Sequence, residues 1–167
     1  MTATNHALTG AAIALSVKSP VLAIPLAFIS HFLLDAIPHY NPPKINKRTF
    51  VNFTIGWGKK FQNRFFRTIF FSDMLLLLFV FASFLFALNT NVSSWAIGLS
   101  MLAAIAPDFL GGRYLIYYWL NIKVQHEEQN RFLSRFHIWV QWMERPWGIW
   151  VELAWFITMG MLILIRR

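Results

Sequence analysis

The sequence predicts an all-α integral membrane protein, a bundle of four or five hydrophobic helices with one amphipathic helix at the membrane surface. Hydrophobic residues make up 57% of the 167 residues and charged residues only 13%, whereas a soluble domain is about 25% charged. The 17 phenylalanines and eight tryptophans suit a lipid-facing surface with anchors at the bilayer interfaces. The length is that of one domain, so we expect residues 1–167 to form a single membrane unit.

Apolar stretches, together with the prolines and glycines that flank them, place the hydrophobic helices. They predict helices over residues 4–18, 20–37, 67–88, 94–109 and 146–165. Pro20 suits the first turn of the second helix, Pro38 ends that helix, and a glycine pair at 111–112 ends the fourth. The first helix is too short to cross a bilayer alone, so we expect it to tilt or to pack as a re-entrant segment against other helices.

Residues 114–144 have a different character from the apolar stretches. Phe132, Phe136 and Trp139 recur at helical spacing, while polar side chains occupy the other faces. This pattern predicts an amphipathic helix that lies in the membrane interface. His126 and His137 fall within it, and we expect them on a solvated face.

A basic loop is predicted over residues 40–66. With its flank it contains seven basic residues and no acidic one: Lys44, Lys47, Arg48, Lys59, Lys60, Arg64 and Arg67. The positive-inside rule places this loop, and with it the N-terminus, in the cytoplasm. A second interpretation is binding of an anionic lipid or a phosphate substrate at Lys44, Lys47, Arg48, Lys59 and Lys60. Basic residues concentrate in cytoplasmic loops and near anionic headgroups, which accounts for the formal net charge of +8. We therefore expect no nucleic-acid partner.

One polar stripe interrupts the second apolar stretch. His31, Asp35 and His39 are spaced by four residues, so on a helix they fall on one face within an arc of about 80°. Two imidazoles and a carboxylate on one face can bind a divalent metal ion. Ionisable groups among apolar residues are costly in a membrane and usually functional.

Other ionisable residues are predicted at the beginning of the first and third helices and at the end of the fourth. In the cytoplasmic N-terminus topology, these residues all lie near one membrane face. The candidate metal ligands are His6, His31, Asp35, His39, Asp73 and Asp108. Asp35 and Asp73 are the candidate catalytic carboxylates. A mixed imidazole and carboxylate set predicts Zn²⁺, with Mn²⁺ and Fe²⁺ as alternatives, and the lack of cysteine excludes thiolate ligands and disulfides.

The same residues have a simpler interpretation, in which they cap helix ends and pair with one another. Asp108 follows Pro107 and suits a cap of the next turn, and histidines at helix ends are common near an interface. His31 is the hardest to explain in this way, because it lies in the middle of its helix. Glu152 is expected to support the site or to pair with an arginine.

Three motifs carry a resemblance to a known family. They are Asn5-His6-Ala-Leu-Thr-Gly-Ala-Ala, Ser30-His31-Phe-Leu-Leu-Asp35-Ala-Ile-Pro-His39, and Pro107-Asp108. Together they resemble small bacterial inner-membrane proteins known as membrane-bound, metal-dependent hydrolases, well over residues 5–40 and loosely over 70–110. The H-x3-D element is also distantly similar to one in zinc-dependent phospholipase C. This chain lacks the D-x-D-H and H-R-G-x-T-H-S elements of many relatives, so the resemblance implies a metal-binding membrane bundle more firmly than a reaction.

Three functions are consistent with these features. The first is a membrane-embedded, metal-dependent hydrolase of a phospholipid or another lipid-linked phosphoester. The second is a non-catalytic membrane protein whose His/Asp cluster binds a structural metal or pairs helix ends. The third is a metal or proton transporter, which the clustering at one face disfavours because transport needs a path across the bilayer.

Overall fold

The predicted all-α fold is confirmed, and the described part of the chain contains five helices of 15 residues or more. The computed structural model describes residues 1–40, 62–87, 90–120, 136, 139–140 and 143–166. The helices are α1 (Ala3–Val17), α2 (Pro20–Asp35), α3 (Arg64–Ala82), α4 (Ser94–Trp119) and α5 (Gly148–Arg166), and a π-helical turn, Ser83–Ala87, follows α3. Two short strands, β1 (His39–Tyr40) and β2 (Glu144–Arg145), pair in parallel.

Helix α1 is the centre of the bundle and contacts all four other helices. It is buried from Thr4 to Ala12, because its alanines and glycine let neighbouring backbones approach closely. The closest approach is at Gly10, where an added Cβ would lie 2.5 Å from the carbonyl oxygen of Ser100 on α4. The short first helix therefore packs against other helices, as its length suggested, and begins one residue earlier than predicted.

Helix α4 continues well beyond its predicted end at residue 109. It passes through Pro107 and the glycine pair 111–112 and ends at Trp119. A glycine stops a helix when it adopts a left-handed conformation, and none of the described glycines has a positive φ. Inside a helix each glycine costs only about 1 kcal/mol, which the packing of α4 against α1 and α2 offsets.

Helix α3 begins within the segment predicted as the end of the basic loop. The side chain of Asn63 accepts a hydrogen bond from the N–H of Phe66 at 3.0 Å, which makes Asn63 the N-cap and starts the helix at Arg64 rather than 67. Residues 41–61, with the five loop cations predicted to bind an anion, lie outside the described residues. Most of the predicted amphipathic helix lies outside them too, and its first six residues belong to α4.

Among the described residues, two helices are long and apolar enough to cross a membrane. They are Arg64–Phe86 and Gly148–Arg166, while Pro20–Asp35 and Ser94–Phe109 are apolar but shorter. The hydrophobic core forms where α1 meets the inner faces of these helices, around Leu15, Ile97 and Met101.

Candidate metal centre

Four acidic side chains from four different helices converge around the beginning of α1. Asp35 ends α2, Asp73 lies in the third turn of α3, Asp108 lies in the middle of α4, and Glu152 lies in the second turn of α5. Each interacts with the first residues of α1 or with the histidines beside them. The bundle therefore has one strongly polar layer, at the end where α1 begins.

Within this layer the structure brings His6, His31 and Asp108 together as a group that could hold a metal ion. One potential ligand atom from each residue lies within 4.8 Å of the others. The two imidazole rings are stacked, with centroids 4.1 Å apart, and both histidines are fully buried. Asp108 is partly exposed, so the group is open on one side.

The orientation of His31 is fixed by a backbone carbonyl. Its Nδ1 lies 2.8 Å from the carbonyl oxygen of Ala104, and because a carbonyl only accepts, Nδ1 carries the proton. Nε2 then points to carboxylate oxygens of Asp35, at 3.3 Å, and of Asp108, at 3.7 Å. A bare nitrogen facing two carboxylates is repelled, so this position calls for a proton or for a cation. A carbonyl on the far ring nitrogen is also the usual support of a metal-binding histidine.

His6 adds an unsatisfied nitrogen to the same place. Its Nε2 lies 3.1 Å from Asp35 Oδ1, whereas its Nδ1 is buried and has no hydrogen-bond partner within the part of the chain that the structure describes. A charged imidazolium would leave an N–H donor buried and unpaired there, which is costly. The geometry therefore favours a neutral His6, with Nε2 donating to Asp35 and a lone pair on Nδ1.

Asp35 connects the two histidines with the amino group of Met1. That ammonium donates to Asp35 Oδ1 at 2.7 Å. Burial alone would lower the pKa of the Met1 amino group, but the nearby carboxylates, foremost Asp35, outweigh burial and raise it. The Met1 ammonium thus lies near the carboxylates of Asp35 and Asp108, and these carboxylates would also attract a proton or a metal cation bound beside them.

Asp73 and Glu152 hold the backbone at the beginning of α1. The two carboxylate oxygens of Asp73 accept hydrogen bonds from the N–H groups of Ala3 and Thr4, at 2.8 and 3.2 Å. Glu152 accepts from the N–H of Thr2 at 3.1 Å and from that of Tyr40 at 2.9 Å. Carboxylates stabilise a helix N-terminus by satisfying its free N–H groups and its dipole. The predicted roles of Asp73 in metal binding and catalysis stay predictions, and its contacts in the structure are those of a cap.

His39 lies apart from the stripe on which the sequence placed it. Helix α2 ends at Asp35 and Pro38 cannot continue it, so His39 belongs to β1 and not to the helical face. Its Nδ1 contacts the carbonyl oxygen of Ile37 at 2.9 Å, and its Nε2 lies 3.8 Å from Glu144 Oε1. Both side chains of this second pair are buried. Sequence analysis missed Glu144, because only the unforeseen pairing of β1 with β2 brings it to His39.

Comparisons of the chain with protein-family models, with curated proteins and with solved structures found no match. The resemblance to membrane-bound, metal-dependent hydrolases therefore stays a prediction, based on the three sequence motifs. What the structure adds is the geometry of His6, His31 and Asp108, a group that could hold a metal ion.

Proposed function

We propose that this chain is a membrane-embedded metalloprotein whose metal centre, formed around His6, His31 and Asp108, hydrolyses a phospholipid or another lipid-linked phosphoester. The observation that carries the proposal is the buried His31 Nε2, which faces two carboxylates while Ala104 fixes the proton on the other ring nitrogen. In the proposed topology the beginning of α1 lies on the cytoplasmic side of a bacterial inner membrane.

Membrane insertion is supported by the surface of the two long apolar helices. Only 17% and 22% of their most apolar windows are buried within the chain, whereas the core helix of a soluble protein is mostly buried. Large apolar side chains point outward on several helices, among them Val21 at 81%, Leu75 at 70% and Ile165 at 76% exposure. Apolar surface this extensive is unfavourable in water and favours a lipid environment.

The donor set fits a divalent transition metal such as Zn²⁺, with Mn²⁺ and Fe²⁺ as alternatives. Imidazole nitrogen and carboxylate oxygen are ligands that these ions share, and the carboxylates of Asp35 and Asp108 beside His31 would attract a divalent cation. His6 and His31 would hold the ion with Asp108, and Asp35 would orient the two rings. Such an ion supplies a hydroxide nucleophile at neutral pH and polarises a phosphoryl oxygen.

The proposed reaction is hydrolysis of a P–O ester bond. Water contributes the oxygen of the new P–O bond, the ester P–O bond breaks, and one water proton passes to the departing alkoxide oxygen. Asp35 is the proposed catalytic carboxylate that accepts and returns this proton, whereas Asp73, for which the sequence predicted the same role, has both oxygens engaged by backbone N–H groups of α1. The partial exposure of Asp108 provides a side from which a headgroup could approach the buried histidines.

Metal content is the first test of this proposal. Protein purified in mild detergent without chelator is analysed by mass spectrometry as wild type, His31→Gln and Asp108→Asn, with His39→Gln as the matched control. We expect about one equivalent of metal in the wild type and in the control, and at least a tenfold loss in the two site variants. A folded wild type that stays metal-free after dialysis against Zn²⁺ and Mn²⁺ would overturn the metal centre.

The reaction is tested separately on metal-loaded protein. Mixed micelles of phosphatidylglycerol and of other lipid phosphoesters are assayed for released headgroup or phosphate. We expect turnover that Asp35→Asn abolishes while the protein remains folded. Metal-loaded protein without turnover on any of these lipids would overturn the hydrolase function and leave the metal centre standing.

A non-catalytic, structural role is the second candidate, and the contacts of the acidic residues favour it. Asp35 pairs with an ammonium, and Asp73 and Glu152 bind backbone N–H groups at the start of α1. In this role the cluster holds the central helix in place. Chelation would then lower the melting temperature of the wild type, whereas unchanged stability together with a lost activity would contradict the structural role.

A further inference from the structure

The face of α3 that points away from α1 carries a shallow groove. It has a volume of about 490 Å³ and is lined by Arg64, Arg67, Thr68, Phe71, Ser72 and Leu75. These positions are spaced by three or four residues and therefore lie on one side of the helix. All six side chains are exposed.

The lining changes in character along the helix. Two guanidinium groups occupy the end where α3 begins, two hydroxyl side chains lie over the next turns, and Phe71 and Leu75 form the apolar end. Arg64 and Leu75 are eleven residues apart, about 16 Å along the helix axis. That length is close to half of the roughly 30 Å hydrocarbon thickness of a bilayer.

We propose that this groove binds one anionic phospholipid, with the lipid phosphate at Arg64 and Arg67 and an acyl chain against Phe71 and Leu75. Arginine pairs well with phosphate because its planar guanidinium donates two parallel hydrogen bonds. Along α3 the lining changes from arginines to apolar side chains. A phospholipid in one leaflet has the same order, from its headgroup to its acyl chains. The proposal rests on the membrane part of the proposed function and is independent of the metal centre.

The bound lipid is a resident lipid and not the substrate. Asp73 follows Arg64 by nine residues, about 13 Å along the helix, and it contacts α1 on the opposite side of α3 from the groove. A phosphate at the arginines is therefore separated from His6, His31 and Asp108 both in depth and by the thickness of the helix. Thr68 donates its hydroxyl to the carbonyl oxygen of Arg64 at 3.2 Å, which leaves the two arginines as the donors for the phosphate.

Lipid retention in native mass spectrometry tests the site. Protein in maltoside detergent is titrated with phosphatidylglycerol and with phosphatidylcholine, and the ratio of the two apparent affinities is measured. We expect the wild type to prefer phosphatidylglycerol and Arg64→Gln/Arg67→Gln to lose about thirtyfold of that preference, from the usual attraction of two basic side chains to anionic lipid. The matched control, Arg145→Gln/Arg166→Gln, removes the same charge elsewhere and should keep the preference.

A second pair of variants tests the groove without changing charge. Leu75→Trp fills the apolar end and should reduce retention of phosphatidylglycerol several-fold, whereas Leu164→Trp on α5, also an exposed position, should not. An unchanged preference in the arginine variant, an equal loss in its control, or unchanged retention in Leu75→Trp would overturn the proposal. Release of the chain from membranes by alkaline carbonate would overturn membrane insertion, and with it the membrane part of the proposed function. If the chain stays in the membrane but shows no lipid preference, only the lipid site in the groove is overturned.

Discussion

The closest contact between α1 and α4 makes Gly10→Ala a decisive perturbation. An alanine Cβ at this position would lie 2.5 Å from the carbonyl oxygen of Ser100 and 3.1 Å from the Cβ of Ala104. Ordinary contacts begin near 3.4 Å, so the two helices would have to separate by about 0.9 Å at this point. The obstacle at Ser100 is backbone, which cannot turn aside as a flexible side chain can.

The magnitude follows from two opposing terms. Overpacking of a close contact costs about 1–3 kcal/mol, while replacing a helical glycine with alanine returns about 1 kcal/mol. We therefore expect Gly10→Ala to lower the free energy of unfolding by about 0–2 kcal/mol relative to the wild type, and by about 1–3 kcal/mol relative to a glycine-to-alanine change that meets no obstacle. For a protein of this size, each kcal/mol corresponds to about 2–4 °C in melting temperature. The expected loss relative to the wild type is thus at most about 8 °C.

Gly160→Ala is the matched control, since no atom lies within 4 Å of a Cβ added there. It gains the helix propensity of alanine without a clash, so its melting temperature should equal or exceed that of the wild type. Both variants are melted in detergent and followed by circular dichroism, and their metal content is measured. Because His6 lies one turn before Gly10 on α1, separating α1 from α4 should also weaken metal binding. If Gly10→Ala is as stable as Gly160→Ala, the close packing of α1 against α4 is refuted.

Three further substitutions test single contacts by the same melting assay. Asp73→Asn should lower the free energy of unfolding by about 1–2 kcal/mol, because it removes the charge from an acceptor of two backbone N–H groups. It should leave metal binding intact. Unaltered stability would argue against the role of Asp73 as a cap of α1. Trp155→Phe should cost about 1 kcal/mol, since the indole N–H donates to Thr9 Oγ1 at 2.9 Å, and a neutral effect would contradict that bond. Ser100→Ala should be neutral or stabilising by about 1 kcal/mol, because the Ser100 hydroxyl is buried without a partner among the described residues; a clear loss would indicate an unseen partner.

The helices were predictable because apolar composition and length are local properties of the sequence. Pro20 starts α2 where expected, and α2 ends two residues before its predicted end. Helix α3 begins three residues early and ends six residues early, at Ala82, where the π-helical turn follows it. The error at α4 has a physical source: glycine permits a helix to end but does not force it to. Whether a helix continues through a glycine pair depends on how it packs with other segments, and a single sequence does not contain that information.

The candidate site also has one part that local spacing predicts and another part that depends on tertiary packing. His31 and Asp35 are neighbours because they are one helical turn apart, which spacing alone reveals. His6 and Asp108 reach them only through the packing of α1 and α4. The sequence predicted that these residues lie near the same membrane face, but it could not predict the distances between their side chains. Nothing in the sequence predicted a role for Glu144. It comes close to His39 only because the two-residue strands β1 and β2 pair, and these strands are far apart in the chain.

The role of α1 connects stability to the site. This helix lies at the centre of the bundle, yet Thr2 at its N-cap makes no side-chain capping bond. The N–H groups of Thr2, Ala3 and Thr4 are satisfied instead by Asp73 of α3 and Glu152 of α5, since buried backbone donors need an acceptor. The same end of α1 carries His6 into the group with His31. The acidic residues around α1 thus form two sets: Asp73 and Glu152 fix the helix, whereas Asp35 and Asp108 face the histidines, so a cation bound by His6 and His31 would meet the second set.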